Sequence, residues 1–191
     1  MSDNEKKGPR KNLMDKLLDQ RVLLLAEPVM PPSAERLIAQ LLYLDAQDDK
    51  SPIRFYINTP GGSISDGFAV FDMIRAIKAP VVTVCTGLSA SMGTILMLAP
   101  RERKNRVCLP NTRFMIHQPS SAYRGAASDI EIGAKEILKL RDRLIEIYVA
   151  ECGMDPDRVK ADMARDYWMT AEEAVKYRLC DRVIRSLSEL G

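Results

Sequence analysis

The sequence predicts an α/β domain built on a largely parallel sheet. Short apolar runs of strand character alternate with segments of helical spacing along most of the chain, and each strand runs into glycine, proline or serine punctuation that opens the next helix. The length, 191 residues, suits one well-buried domain and is too short for two ordinary ones. The expected division is a mobile polar tail over residues 1–12 and a single domain over 13–191.

The elements follow in order. The tail is charged and carries a Gly-Pro pair, and Leu13 to Leu18 starts a short helix. Val22 to Ala26 is an apolar run that ends before Glu-Pro, as a buried strand would. Pro31-Pro-Ser33 then punctuates the chain. Ser33 is placed to N-cap a helix whose Leu37, Ile38, Leu41 and Leu42 recur at helical spacing. Ile53, Phe55 and Ile57 alternate with Arg54, Tyr56 and Asn58 in a half-buried strand that stops at Thr59-Pro-Gly-Gly62. A helix follows from about Ser65 to Ile77, then a strand from Val81 to Thr86, a glycine-bearing turn, and a helix from Gly93 to Ala99. Pro100 to Asn105 reads as a charged turn and Arg113 to His117 as a further strand. The longest helical signal spans about Ser128 to Cys152, where the pairs Ile137/Leu138, Leu144/Ile145 and Tyr148/Val149 form a broad apolar stripe. The chain closes with a helix near Pro156 to Met163, an extended piece at Arg165 to Met169, a helix opening on the capping box Thr170-Ala-Glu-Glu173, and a strand at Leu179 to Ile184.

Composition narrows the function. A net charge of +2, no long basic block and few aromatics argue against nucleic acid as a partner. No apolar run approaches a membrane span, and the first residues lack the apolar core of a secretory signal, so a cytoplasmic location without membrane attachment is expected. Cys85, Cys108, Cys152 and Cys180 are far apart and lie in or beside apolar runs; they suit small buried hydrophobes better than metal ligands. No metal or other cofactor is expected.

The chain contains one histidine, His117, at the end of Phe114-Met-Ile-His117. Any serine hydrolase using imidazole as general base must use it. Ser91 stands where a strand and a glycine-bearing turn meet an apolar helix, so free helix N–H groups, including that of Met92, lie beside it. Ser89, within the turn, is a rival nucleophile or a cap. Thr59-Pro-Gly-Gly62 offers further N–H donors after a strand. Among 26 acidic residues, Asp166 is distinguished by the Tyr167-Trp-Met169 that follows it, which would hold it at the edge of the core.

Five segments in one order resemble the ClpP family, the proteolytic subunits of the Clp protease: Tyr56-Ile-Asn-Thr-Pro-Gly-Gly62, Ala90-Ser-Met-Gly93, Leu109 through Pro119, Asp129-Ile-Glu-Ile132 with Glu136-Ile-Leu138, and Arg165-Asp166 with Met169-Thr-Ala171. The resemblance covers about Leu17 to Ile184. It implies a ClpP/crotonase-type fold of repeated strand-helix units with a protruding handle helix at 128–152. It also implies Ser91 as nucleophile, His117 as general base, Asp166 as the orienting acid, and the backbone N–H groups of Gly62 and Met92 as oxyanion donors. Ser63, Ile64, Pro119, Ser120, Ser121 and Ala122 would flank an extended peptide. The implied activity is that of a serine endopeptidase acting on unfolded proteins delivered by a Clp-type AAA+ ATPase. The implied assembly is a pair of stacked heptameric rings, a tetradecamer of this chain, alone or mixed with a paralogous subunit.

The chain departs from the family pattern in places. Its N-terminal segment is shorter and more polar than the usual axial loop. Arg54 and Ala76 stand where aromatic residues commonly line the ATPase docking pocket, while Tyr56 is kept. Ala164 replaces a common acidic residue, and Ser121 and Ala122 replace a glycine pair. These departures motivate one alternative, a weakly active, scaffolding subunit of a mixed ring. The shared fold offers another, a crotonase-type acyl-CoA enzyme whose glycine-bearing turns would hold a thioester oxyanion while carboxylates do the acid/base work.

Overall fold

Alternation at period two turns Ile53–Thr59 into a strand that buries Ile53, Phe55 and Ile57 and half-exposes Arg54 and Tyr56. The computed structural model, which describes residues 12–190, repeats this logic in seven strands. They are β1 (Val22–Leu25), β2 (Ile53–Thr59), β3 (Val81–Ala90), β4 (Arg106–Cys108), β5 (Arg113–Ile116), β6 (Tyr167–Met169) and β7 (Arg182–Val183). The helices are α1 (Leu13–Asp19), α2 (Pro31–Gln47), α3 (Ile64–Ala76), α4 (Met92–Met97), α5 (Ala127–Cys152), α6 (Pro156–Asp162) and α7 (Ala171–Lys176). The main path of the sheet runs β1-β2-β3-β4-β7, with β5 on β3 and β6 on β5. Every pairing is parallel except β5 with β6. The expected α/β class and parallel bias hold.

Most of the expected tail lies outside the described residues. Its last member, Asn12, belongs instead to α1: its side chain accepts from the Asp15 N–H, and Asp15 answers the Asn12 N–H. Ser33, in contrast to Asn12, is not an N-cap. Helix α2 begins three residues earlier, with Met30 at the N-cap, because Pro31 and Pro32 fall at positions whose N–H groups would have no intrahelical acceptor. Ser33 sits in the first turn and accepts from the Met30 N–H at 2.9 Å. Helix α3 likewise starts early, capped by Ser63, whose hydroxyl accepts from the Asp66 N–H.

The largest difference from expectation is β3. The glycine-bearing turn expected before Ser91 is strand, continuous to Ala90. Gly87, at φ 58°, lets the strand bend there without breaking, and a Cβ at that position would meet Asn58 Oδ1 at 2.9 Å. That oxygen accepts from the Leu88 N–H at 3.0 Å and bridges the register shift against β2. Before the bend, Thr83 to Cys85 pair with β4; after it, Leu88 to Ala90 pair with β5. One strand thus serves two branches of the sheet. Strand β4 was not expected, since its three residues follow a charged turn and begin with Arg106.

Arg106 is 1% exposed. Its guanidinium donates to the Pro100 carbonyl and pairs with Glu151, near the end of α5. Glu151 also takes Arg75 of α3 at 2.5 Å, and Arg75 in turn donates to the carbonyls of Leu98 and Ala99. The carboxylate therefore fastens α5 to the segment leaving α4.

Helix α5 is 26 residues long, about 39 Å at 1.5 Å per residue. Leu144, Ile147, Tyr148 and Cys152 are buried, whereas Gly133 is the one buried residue over the first two-thirds. Ile130, Ile132 and Leu138 stand exposed there. The stripe is broad, as expected, but the fold covers only its C-terminal end. All four cysteines are free and buried. Burial pushes the Cys152 thiol up to about 12, against the neighbouring Arg106. Among the described residues, no helix is long and apolar enough to cross a membrane.

Candidate active site

Strand register brings the site together. In β3 and β5, Ala90 pairs with Met115, so Ser91 and His117 leave neighbouring strands at the same edge. In the antiparallel pair, Ile116 lies opposite Tyr167, which sets His117 and Asp166 side by side just beyond the ladder. His117 Nε2 is 2.9 Å from Ser91 Oγ, and His117 Nδ1 is 3.1 Å from Asp166 Oδ1. With Nδ1–H donating to the carboxylate, Nε2 is left to accept from the Ser91 hydroxyl.

Ser91 is the N-cap of α4, yet its side chain makes no cap hydrogen bond. Its backbone has φ 52° and ψ −121°, a sharp strand-to-helix turn that lifts Oγ away from the helix and toward the imidazole. The Ser91 N–H donates to the Met115 carbonyl at 2.7 Å, locking the turn to β5. Ser89, the rival, is part of β3 and wholly buried, out of reach of any substrate.

Gly62 bridges in parallel to Val29 through its neighbours: the Val29 N–H donates to the Gly61 carbonyl and the Ser63 N–H to the Val29 carbonyl. The Gly62 N–H takes no part in this bridge. Met92 opens α4, so its N–H has no intrahelical acceptor. Gly61 joins the two donor-bearing segments. At φ 92° it packs so closely that a Cβ would lie 2.8 Å from Ser91 Cβ and 2.9 Å from Met92 N.

Ser63 and Ile64 stand at the start of α3. Ile64 lines a small apolar pocket beside Ser91 with Met92, Ile95, His117, Pro119, Leu144 and Tyr148. Pro119 also faces an open cleft with Ser120, Arg165 and Asp166. Ser120, Ser121 and Ala122 are exposed and belong to neither helix nor strand. The Gln118 N–H donates to the Met163 carbonyl and its amide to the Ala164 carbonyl, tying the root of this loop to the end of α6.

Asp166 does not sit against the core. Its side chain is 61% exposed, because only Met169 of the run that follows is buried; Trp168 is turned outward under the Arg113 guanidinium. Gly61 was expected only within a glycine pair that supplies N–H donors and Tyr148 only within the apolar stripe of α5, and no role was expected for Thr94. Thr94 follows Ser91 by three residues, the spacing at which a first-turn hydroxyl can reach back to an N-cap carbonyl, and that was the one available signal.

A strained serine at a strand-to-helix turn, hydrogen-bonded to an imidazole that is itself held by a carboxylate, is the chemical equipment of a serine hydrolase. A family model described as Clp protease matches residues 5–187. The ATP-dependent Clp protease proteolytic subunit of Deinococcus radiodurans is 44% identical over 178 residues, covering 93% of this chain and 87% of the relative. The chain belongs to the Clp protease family and is a serine endopeptidase of the proteolytic-subunit type. Neither the acyl-CoA alternative nor the scaffolding one is favoured.

Proposed function

We propose that Ser91 is the nucleophile, His117 the general base and Asp166 the acid that orients it. The observation that carries this is the unbroken path Ser91 Oγ to His117 Nε2, then His117 Nδ1 to Asp166 Oδ1, at 2.9 and 3.1 Å. The substrate peptide lies extended between Ser63-Ile64 and the loop Pro119 to Ala122, pairing backbone to backbone, with an apolar side chain in the pocket beside Ile64 and Tyr148. Ser91 Oγ attacks the carbonyl carbon as His117 Nε2 takes its proton, and the N–H groups of Gly62 and Met92 receive the oxyanion. Collapse breaks the C–N bond, and His117 returns the proton to the leaving amine. Water then loses a proton to His117 and attacks the acyl ester, and Ser91 recovers its proton as the acid departs. No metal or nucleotide takes part in these steps.

The relative's name, the proteolytic subunit of an ATP-dependent Clp protease, supports work beside an ATP-using partner, which we take to be a Clp-type AAA+ ATPase that delivers unfolded proteins. The exposed apolar face of α5 supports self-assembly. We place the protein in the cytoplasm as stacked heptameric rings, a tetradecamer. The test is a fluorophosphonate probe on the assembled protein, with the adduct located by mass spectrometry. Label is expected on Ser91. Ser91→Ala should abolish labelling and cleavage of a small fluorogenic peptide, with particle size by light scattering unchanged. Cleavage retained by Ser91→Ala would reject the nucleophile.

A further inference from the structure

A second hydrogen-bonded path reaches Ser91 through its backbone. Thr94 Oγ1 lies 2.7 Å from the Ser91 carbonyl oxygen and 2.5 Å from Tyr148 Oη. A carbonyl can only accept, so Thr94 spends its one hydroxyl proton on Ser91, and Tyr148 must donate to Thr94. The order is fixed: Tyr148 O–H to Thr94 Oγ, Thr94 O–H to Ser91 C=O. Thr94 is 0% exposed and Tyr148 2% exposed, so water does not compete for either group. Burial also holds the Tyr148 phenol protonated, above its ordinary range.

The path ends on the most strained peptide of the site. A non-glycine residue at φ 52°, ψ −121° keeps that conformation only where its surroundings over-determine it. On one side the Ser91 N–H is fixed to Met115; on the other the Ser91 carbonyl accepts from both the Thr94 N–H, at 3.0 Å, and the Thr94 hydroxyl. Helix α4 is six residues long and contributes few hydrogen bonds of its own to hold that carbonyl. Tyr148, in contrast, lies on the anchored end of α5, whose neighbours Leu144, Ile147 and Cys152 are buried.

We propose that Thr94 and Tyr148 are positioning residues for peptide hydrolysis. They hold the Ser91 turn in its left-handed form and so keep Oγ on His117 Nε2. This rests on Ser91 being the nucleophile. Thr94 touches neither the reacting atoms nor the imidazole; it acts on the rate through the Ser91 backbone.

The test uses the full chain in its assembled form with Thr94→Val, which keeps the shape and loses the hydroxyl, Thr94→Ser, which restores it, and Tyr148→Phe, which removes only the phenolic oxygen. Peptide kcat and KM, the fluorophosphonate labelling rate of Ser91, particle size and melting temperature are measured for each. Thr94→Val should lower kcat and labelling rate by roughly 10- to 100-fold with KM changed less than about twofold. Thr94→Ser should recover most of the loss, and Tyr148→Phe should fall in the same direction by a smaller factor. A Thr94→Val that melts lower but keeps kcat and labelling within about twofold of wild type overturns the proposal. If Thr94→Val fails to assemble, a Tyr148→Phe particle with undiminished kcat and labelling overturns it equally. Label on a serine other than Ser91 in the wild-type protein overturns the nucleophile assignment and this proposal with it; label on Ser91 with an insensitive Thr94→Val overturns this proposal alone.

Discussion

Ser91 shows how much a single backbone conformation decides. A serine at a helix start ordinarily caps the helix with its own oxygen, but at φ 52° the side chain is carried away from the first-turn N–H groups, leaving Oγ for His117. The sequence Ser89-Ala-Ser91-Met-Gly93 lacks the first glycine of the nucleophile elbow, yet it builds the same kind of turn, with buried Ser89 small enough for that place. Gly61 has a comparable weight. Because a side chain there would press on Ser91 Cβ and Met92 N, Gly61→Ala should lower kcat/KM for a fluorogenic peptide by about 100-fold or more, with circular dichroism little changed. Full activity in that variant would mean the turn has slack the packing does not show. Of these residues, His117 was legible because it has no rival, and Ser91 and Asp166 through the order of the motifs. Gly61 was legible only as part of a glycine pair, its close approach to Ser91 lying 30 residues on. The path from Tyr148 was not, since the phenol reaches Thr94 across 54 residues and Thr94 acts on a backbone angle at Ser91 that residue types do not reveal.

Among the elements, periodicity was most informative where one face is buried. The alternation of β2, the stripe of α5 and the Thr170 capping box of α7 all appear as the pattern implies. Boundaries failed where backbone geometry overrode residue type: Pro31 pulled α2 forward, and Gly87 bent β3 where a turn was expected. Strand β4 was illegible because its burial depends on a partner more than 40 residues away, the Glu151 carboxylate that neutralises Arg106. That carboxylate also sets a prediction for α5. Glu151→Ala leaves Arg106 charged and buried without its counter-ion, a loss of about 3 kcal/mol or more, so its melting temperature should drop by several degrees. Substituting the half-exposed pair Arg36 and Glu27 should change stability by about 1 kcal/mol at most. Equal effects from the two sites would remove Glu151 as a fastening point.

At the scale of the whole molecule, α5 divides the chain into a part that completes itself and a part that does not. The first two-thirds of the helix extends about 25 Å with Ile130, Ile132 and Leu138 exposed, more apolar surface than a solitary chain gains from. If this face joins subunits, Ile132→Glu should shift the particle toward smaller species in light scattering while the far-ultraviolet spectrum stays native. An unchanged particle would place the interface elsewhere. The bend at Gly87 has its own consequence at this scale. The trunk of the sheet, β1 to β4 with β7, holds most of the core, whereas His117 and Asp166 ride on the side branch β5-β6, joined to the trunk through three residues of β3. Yet Phe114, Ile116 and Met169 of that branch are buried in the same core as the trunk. The registration that aligns those two side chains is therefore secured by the packing that holds the whole domain, and a loss of one should register in the melting of the other.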